Sequence, residues 1–325
     1  MSNDLVDRLR LVRSPGIGPV TYRQLIARFG SPAAALEAVP DLAARGGGRP
    51  PRLVSRGEVE KEILRLDALG GRYLILGQGL YPRALAEMDD SPPLLTVRGN
   101  LGLLDRPLIA IVGARNSSAA ACRFARQLAY DLGQQGAVVV SGLARGIDSA
   151  AHDGSLETGT IGIVAGGIDV FYPPENQARQ EAMFDRGLVI AEMPPGTEPR
   201  ARHFPYRNRI IAGLSLGTVV VEAAPKSGSL ITARLAAEAG REVMAVPGSP
   251  LYPRAQGRGH RPSRGSLNGW TAMQAHWRSS KTCSVPRRCR WMRSSACRVP
   301  QAERSRWRFW NSTSQAGWIA TPAER

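Results

Sequence analysis

Short apolar runs alternate with amphipathic helical runs between Pro107 and Gly248, and this alternation constrains the fold more than any other feature of the sequence. Each apolar run is four or five residues of mostly Val, Ile, Leu or Ala, a pattern typical of parallel strands buried on both faces. The predicted strands are Leu108–Val112, Ala137–Val140, Thr160–Val164, Leu188–Ala191, Thr218–Val221 and Glu242–Val246. Helical runs such as Ala119–Leu132 and Ser229–Ala239 separate them. The sequence therefore predicts a parallel α/β sheet with right-handed crossovers and a ligand at the carboxyl ends of its strands.

Glycine-rich turns follow four of the predicted strands and indicate a phosphate site. A strand, a glycine turn and a helix N-terminus together form an anion cradle, because glycine lets the backbone approach and unpaired amide N–H groups point at the ligand. The predicted phosphate-binding residues in these turns are Gly113, Arg115, Ser141, Gly142, Arg145, Gly146, Gly166, Gly167, Lys226, Ser227, Gly228 and Ser229. No turn carries a standard dinucleotide or P-loop motif. The alternative is that the glycines only permit tight connections between strand and helix.

The segment Arg200–Arg209 mixes cations with aromatic rings. Guanidinium groups can bind backbone phosphates while a base stacks on a ring, which is how single strands are held without sequence readout. The predicted DNA contacts in this segment are Phe204, Arg207, Asn208 and Arg209. We expect a helix to begin near Asn208, so that both flanking arginines lie at its N-terminus and converge on phosphate. The alternative is that these arginines pair with Glu192 or Glu222 and brace the sheet edge.

Five ordered motifs closely resemble the DprA/Smf family, the DNA-processing proteins of bacterial natural transformation. The motifs are Ser141–Asp148 with Ala150–His152, Gly166–Asp169, Tyr172–Pro173, Phe204–Ile211 and Lys226–Thr232. The resemblance covers roughly residues 10 to 252. It implies an extended Rossmann-like domain that binds and protects single-stranded DNA and helps to load the RecA recombinase. It further implies a homodimer with no catalytic step. We expect no cofactor, and the charges among the first residues predict a cytoplasmic protein.

An enzyme is the competing interpretation. Asp148, Asp169, Glu192 and Glu222 each follow a strand and could supply a carboxylate pair for acid/base chemistry. A nucleotide-cleaving enzyme similar to the phosphoribohydrolases of the wider Rossmann-like group is therefore a second hypothesis, although the P-G-G-x-G-T-x-x-E signature of those enzymes does not occur. No nucleophile elbow, in which a strand leads through the serine turn into a helix, and no H-E-x-x-H zinc motif accompanies these carboxylates. We interpret Asp148 as an acceptor that orders its glycine turn, and we predict neither catalytic residues nor metal ligands.

The first 70 residues predict a small helical domain. Leu5–Leu11 and Val20–Phe29 flank a Gly16-Ile17-Gly18 turn, a further helix is predicted at Val59–Leu69, and Tyr73–Leu76 is a candidate extra strand. The turn could hold a DNA phosphate, as in a helix-hairpin-helix, or form an ordinary helical corner. The resemblance implies a domain similar to a sterile-alpha-motif fold here. Charges interrupt the first apolar residues, so we expect no secretory signal and no membrane partner.

The C-terminal segment differs from the rest of the chain. The chain has a net charge of +16, of which the 15 Lys and Arg and 2 acidic residues after residue 250 account for +13. Residues 1 to 250 keep only +3, so a DNA site there must be a local patch. All six Trp and three Cys (Cys283, Cys289 and Cys297, without zinc-ribbon spacing) also lie after residue 250.

We interpret this change of composition as a reading-frame shift near residues 254 to 257. The predicted organisation is then a helical domain at 1–70, a Rossmann-like DNA-binding domain at 71–252 and an aberrant, disordered tail at 253–325. Such a tail puts the homodimer in doubt. The alternative is a basic arm that binds nucleic acid.

Overall fold

The structure, a computed structural model, describes residues 2–45, 51–224 and 227–246. Within these ranges the helices are α1 Asn3–Arg13, α2 Pro19–Phe29, α3 Pro32–Arg45, α4 Arg56–Ala68, α5 Arg83–Ala86, α6 Ala119–Gln134, α7 Ile147–Ser155, α8 Gln177–Arg186, α9 His203–Leu214 and α10 Gly228–Glu238. The strands are β1 Arg72–Ile75, β2 Leu94–Gly99, β3 Leu108–Gly113, β4 Val138–Ser141, β5 Thr160–Val164, β6 Leu188–Ala191, β7 Gly217–Val221 and β8 Glu242–Ala245. Short 3₁₀ turns occupy Leu101–Asp105 and Pro174–Asn176. These residues all belong to one unit, Met1–His260.

One sheet joins the eight described strands in the order β1-β2-β6-β5-β4-β3-β7-β8. The six strands β6, β5, β4, β3, β7 and β8 pair in parallel, each with the next, whereas β2 pairs antiparallel with both β1 and β6. The mostly parallel sheet confirms the predicted fold class, and the six predicted strands lie within one residue of their expected bounds. The antiparallel β1–β2 pair extends the sheet beyond the parallel part.

Both faces of the sheet are covered, as the continuous apolar runs predict. On one face α6 and α7 pack against alternate strand residues such as Ile109, Ile111 and Val139. On the other, α9 and α10 cover the intervening residues, including Ala110 and Val140. Successive strand side chains point to opposite faces, so residues of one strand contribute to both clusters.

The helices before the sheet have a core of their own around Leu11, Tyr22 and Leu36. Helix α4 contributes to two clusters, since Ile63 packs with residues of α1 and Leu66 packs with Val189 of β6. This sharing ties α4 to both parts, and the domain boundary near Gly70 remains a prediction. The predicted tail at 253–325 and its cysteines lie outside the described residues.

Helix α9 corrects one expectation. We expected a helix from about Asn208, but it begins at His203, five residues earlier. Pro205 occupies the first turn, where a missing backbone N–H costs nothing because that group has no helical partner. Arg207 and Arg209 therefore lie inside the helix, away from its free N–H groups.

Candidate nucleic-acid interface

The strand order reverses between β3 and β7, because the chain adds β4, β5 and β6 on one side and β7 and β8 on the other. Ligands of such sheets bind in the crevice outside the carboxyl ends of the strands at this reversal. Gly113 ends β3 and Arg115 follows it, and Ser227, Gly228 and Ser229 open α10 after β7. The structure therefore brings these two predicted turns to one edge. The predicted contact Lys226 lies outside the described residues.

Arg115, Tyr172 and Phe204 come together at this edge, and we call them the aromatic cluster. The Arg115 guanidinium carbon lies 5.1 Å from the centre of the Phe204 ring. The Tyr172 ring meets the Phe204 ring edge-on, with 5.9 Å between their centres. Arg115 is exposed, Phe204 is half-buried and Tyr172 is 47% exposed. A ring and a cation accessible together can stack with a base and pair with a phosphate.

Arg145 lies in the turn next to that of Arg115. The amide of Ile147 donates to the carbonyl of Ala114 at 3.3 Å, which joins the turn before α7 to the turn after β3. Gly146 adopts a φ of +74°, and a Cβ there would lie 2.3 Å from the same carbonyl. The Arg145 side chain is 62% exposed and pairs with Glu175. Arg145 thus presents a second cation close to the aromatic cluster.

Most of the turn glycines are explained by close packing within the protein. A Cβ on Gly113 would overlap the carbonyl of Val221, and one on Gly142 would overlap the guanidinium of Arg207. Cβ atoms on Gly166 and Gly167 would each lie 2.6 Å from a carbonyl oxygen of the 194–197 segment. Gly228 differs, because no described atom lies within 4 Å of its added Cβ. Gly228 is therefore exposed, whereas protein atoms fill the space beside the other four glycines.

Protein carboxylates occupy two of the predicted anion cradles. Glu222 accepts hydrogen bonds from the Ser118 amide at 3.1 and 3.2 Å and from the hydroxyl of Ser118, the N-cap residue of α6, at 2.6 Å. Asp148 accepts from the amides of Gly142 at 3.1 Å and Ala144 at 3.4 Å. This contact confirms Asp148 as the acceptor that orders its turn. Burial raises the pKa of Asp148, and nearby Arg207 opposes that shift.

Arg207 is buried and binds the protein itself. Its Nε donates to the carbonyl of Ile163 at 3.0 Å, and its Nη2 donates to the carbonyl of Gly142. Its Nη1 donates to Asn208 Oδ1 at 2.9 Å, and Asn208 Nδ2 donates to the carbonyl of Gly228 at 3.4 Å. Arg207 therefore holds the turn after β4, where Ser141 also donates to a β3 carbonyl. Asn208 joins α9 to the start of α10.

Arg209 is also buried, with 4% of its side chain exposed. Its Nη2 donates to Glu192 Oε1 at 2.5 Å, and its Nη1 donates to the carbonyl of Asp90. Burial raises the pKa of Glu192, and the Arg209 charge opposes that rise. The pairing corresponds to the bracing alternative, with Glu192 as the partner. The structure does not bring Arg207 and Arg209 to the exposed aromatic cluster.

Sequence reasoning missed Tyr172 and Glu175 as site residues. Tyr172 stood in a family motif, but its contact with Phe204 joins residues 32 positions apart in the chain. Asp169, a candidate carboxylate, instead accepts from Arg65 Nη2 at 2.6 Å and from the Gly196 amide at 2.6 Å. It thus connects α4 to the loop after β6.

No group of three or more His, Cys, Asp or Glu is placed to hold a metal ion in the parts of the chain that the structure describes. None of the helices described is long and apolar enough to cross a membrane.

The chain matches two family models. Residues 72–269 match the model described as DNA recombination-mediator protein A, and residues 2–64 match a DprA-like N-terminal HHH domain. Among curated relatives, DNA processing protein DprA of Streptococcus pneumoniae is 47% identical over 173 residues, covering 53% of this chain and 61% of that protein. DprA of Bacillus subtilis is 43% identical over 195 residues, covering 59% and 66%. The match thus spans less than two thirds of either relative.

Two solved structures of DNA processing protein A are also similar to this chain. The crystal structure of DNA processing protein A from Streptococcus pneumoniae has a TM-score of 0.59 and 37% identity, over 70% of this chain and 74% of that one. DNA processing protein A from Helicobacter pylori, whose structure concerns its single-stranded DNA binding mode, has a TM-score of 0.51 and 32% identity, over 55% and 83%. The resemblance drawn from the sequence motifs is confirmed: this chain belongs to the DNA recombination-mediator protein A family, the DprA/Smf family.

Proposed function

We propose that this protein binds single-stranded DNA at the carboxyl edge of its sheet and processes incoming DNA in natural transformation. The observation that carries the proposal is the aromatic cluster, in which the Arg115 cation lies 5.1 Å from the centre of the Phe204 ring. Unpaired bases can stack on such rings, whereas paired bases in a duplex cannot. Family membership and the DNA-binding relative from Helicobacter pylori support the same role.

The proposal gives three roles to the predicted site residues and to Tyr172. Arg115, Arg145 and Lys226 contact phosphates, together with the backbone of Ser227, Gly228 and Ser229 at the open start of α10. Phe204 and Tyr172 stack with bases. The residues that shape these surfaces are Gly113, Ser141, Gly142, Gly146, Gly166, Gly167, Arg207, Asn208 and Arg209. The phosphate contacts attract any strand, and the rings select an unpaired one.

The proposal extends to partners. We propose that the bound strand is protected and passed to the RecA recombinase in the cytoplasm, and that the protein acts as a homodimer if its C-terminal segment permits one. Co-purification of tagged protein with RecA, with and without single-stranded DNA, tests the first partner. Sedimentation of the full chain tests the second.

No observation favours the nucleotide-cleaving alternative. The four candidate carboxylates Asp148, Asp169, Glu192 and Glu222 each accept hydrogen bonds from protein donors. A general base needs an oxygen within reach of its substrate. We therefore propose binding without catalysis.

Competition binding tests the proposed function. The full chain is mixed with a fluorescent dT oligonucleotide at fixed salt, and unlabelled single-stranded or duplex DNA of equal length is added. The single strand should compete at lower concentration than the duplex. Equal competition would count against a site built on base stacking.

A further inference from the structure

The exposed cation of Arg145 already has an anionic partner. Arg145 Nε donates to Glu175 Oε1, although 62% of the Arg145 side chain and 48% of the Glu175 side chain are exposed. The contact with Glu175 raises the pKa of Arg145, and the contact with Arg145 lowers that of Glu175. A phosphate that approaches Arg145 therefore meets a carboxylate in the position it would take.

The two charged residues are held opposite each other by the buried side chain of Asn176. Asn176 Nδ2 donates to the carbonyl of Leu143 at 2.7 Å, and Asn176 Oδ1 accepts from the Ser149 hydroxyl at 3.1 Å. Asn176 is 4% exposed. The 3₁₀ turn that carries Glu175 is thus fixed to the segment that carries Arg145. The chain segments that carry the two side chains are therefore held within pairing distance of each other.

The ion pair also lies beside the aromatic cluster. Tyr172 precedes Glu175 by three residues, and its ring packs edge-on against Phe204. The turn of Arg145 is joined to the turn of Arg115 through the hydrogen bond from the Ile147 amide to the Ala114 carbonyl. A strand whose base stacks at the cluster therefore carries its neighbouring phosphates toward Arg145.

We propose that Glu175 is an internal competitor for DNA phosphate: its carboxylate occupies Arg145 in the free protein and is displaced by a phosphodiester of the bound strand. The inference rests on the proposed function. A strand that is already held at the aromatic cluster displaces the carboxylate, because its phosphates are delivered at high local concentration. An isolated phosphate ion has no such second attachment. Glu175 thus restricts the site to extended single strands.

The test compares Glu175→Gln with wild type by titrating a fluorescent dT oligonucleotide at several salt concentrations. An exposed ion pair contributes little, so removing the competing charge should tighten binding by about two- to fivefold. Arg145 then enters the complex as a free cation. The slope of log affinity against log salt should steepen by up to about 0.7, the value for one phosphate on a single strand.

Glu157→Gln is the matched control. Glu157 pairs with Arg186 at 2.5 Å and is 81% exposed, but the pair lies where α7 and α8 end, at the opposite edge of the sheet. Glu157→Gln thus removes one negative charge, as Glu175→Gln does, but at a position far from the aromatic cluster. Arg145→Gln, alone and combined with Glu175→Gln, completes the set, and a melting curve accompanies each variant.

The inference is supported if Glu175→Gln binds more tightly than Glu157→Gln and the gain disappears in the Arg145→Gln background. Equal gains from the two glutamate variants would show a general charge effect and overturn it. A gain that persists without Arg145, or wild-type affinity and slope in Glu175→Gln, would also overturn it while leaving the proposed function standing. If folded wild-type protein binds no single strand, the proposed function fails and the inference fails with it.

Discussion

Helix α9 presents two surfaces of opposite character, although a single sequence motif encodes both. Toward solvent it places Phe204, which meets Arg115 and Tyr172. Toward the interior it places Arg207 and Arg209, which are 8% and 4% exposed and bind protein oxygens. Arginine therefore has two roles in this protein: Arg115 is exposed beside Phe204, whereas Arg207 and Arg209 support the fold. Burial, and not the presence of arginine, separates a cation that can contact DNA from one that supports the fold.

The energetic contrast between the two surfaces is large. A buried guanidinium has lost its water and is tolerated only because oxygens replace it, so removing it leaves a buried partner without compensation. An exposed guanidinium keeps its water, and its removal costs the folded state little. Variants on the inner surface should change stability first, and variants on the outer surface should change binding alone.

Arg209→Ala should give the largest effect. The substitution removes the cation that pairs with Glu192, a carboxyl whose pKa is already raised by burial. About 3–5 kcal/mol of unfolding free energy should therefore be lost. Urea denaturation measures the loss, with Arg115→Ala as the control, which should stay within about 1 kcal/mol of wild type. If Arg209→Ala kept wild-type stability and lost only DNA affinity, the comparison would be reversed.

Phe204→Ala tests the outer surface. Loss of a stacked base weakens single-strand binding by about 1–3 kcal/mol. Fluorescence titration measures the affinity, and a melting curve shows whether the fold is intact. Tyr130→Ala is the control, because Tyr130 is 50% exposed on α6 and lies outside the aromatic cluster. Equal losses from the two variants would remove Phe204 from the site.

Acidification tests a buried titratable group elsewhere in the interior, His152 of α7. Burial lowers the pKa of His152 to about 3, and its Nδ1 lies 2.8 Å from Thr160 Oγ1. Below the unfolded value of about 6.5 the unfolded chain takes up a proton that the folded chain does not, so His152 costs stability as the pH falls. The stability lost through His152 between pH 8 and pH 5 is about 2 kcal/mol.

His152→Asn isolates this effect, since it keeps a hydrogen-bonding group near the position of Nδ1 and cannot take up the proton. The stability of wild type relative to His152→Asn should fall by that amount on acidification, measured by urea denaturation at each pH. Parallel curves for the two proteins would show that His152 does not resist protonation.

Arg115→Gln should have the smallest effect, and it is visible mainly in the salt dependence. Loss of one phosphate contact should flatten the slope of log affinity against log salt by about 0.7 for a single strand. The control is Arg186→Gln, which removes an exposed cation at the opposite edge of the sheet. An unchanged slope in Arg115→Gln would mean that Arg115 only supports the Phe204 ring.

Much of the fold follows from local sequence, and the site only partly does. Strands such as Thr160–Val164 were predictable because a run buried on both faces must be apolar throughout. The role of Arg207 was not, because its acceptor at Ile163 lies 44 residues away in the chain. The pairing of Arg209 with Glu192 was one of two alternatives, and only the fold, which joins residues 17 positions apart, selects it. The start of α9 was predictable in principle, since Pro205 fits best in a first helical turn.

The direct test of the two-surface comparison is photocrosslinking of the full chain to a dT oligonucleotide carrying iodouracil, with the crosslinked residues identified by mass spectrometry. Iodouracil reports aromatic rings that stack on the strand, so we predict crosslinks at Phe204 and Tyr172 that unlabelled single strand suppresses and duplex does not. Crosslinks confined to Tyr130, to the N-terminal helices or to the tryptophans after residue 250, with none at Phe204 or Tyr172, would contradict the proposed site.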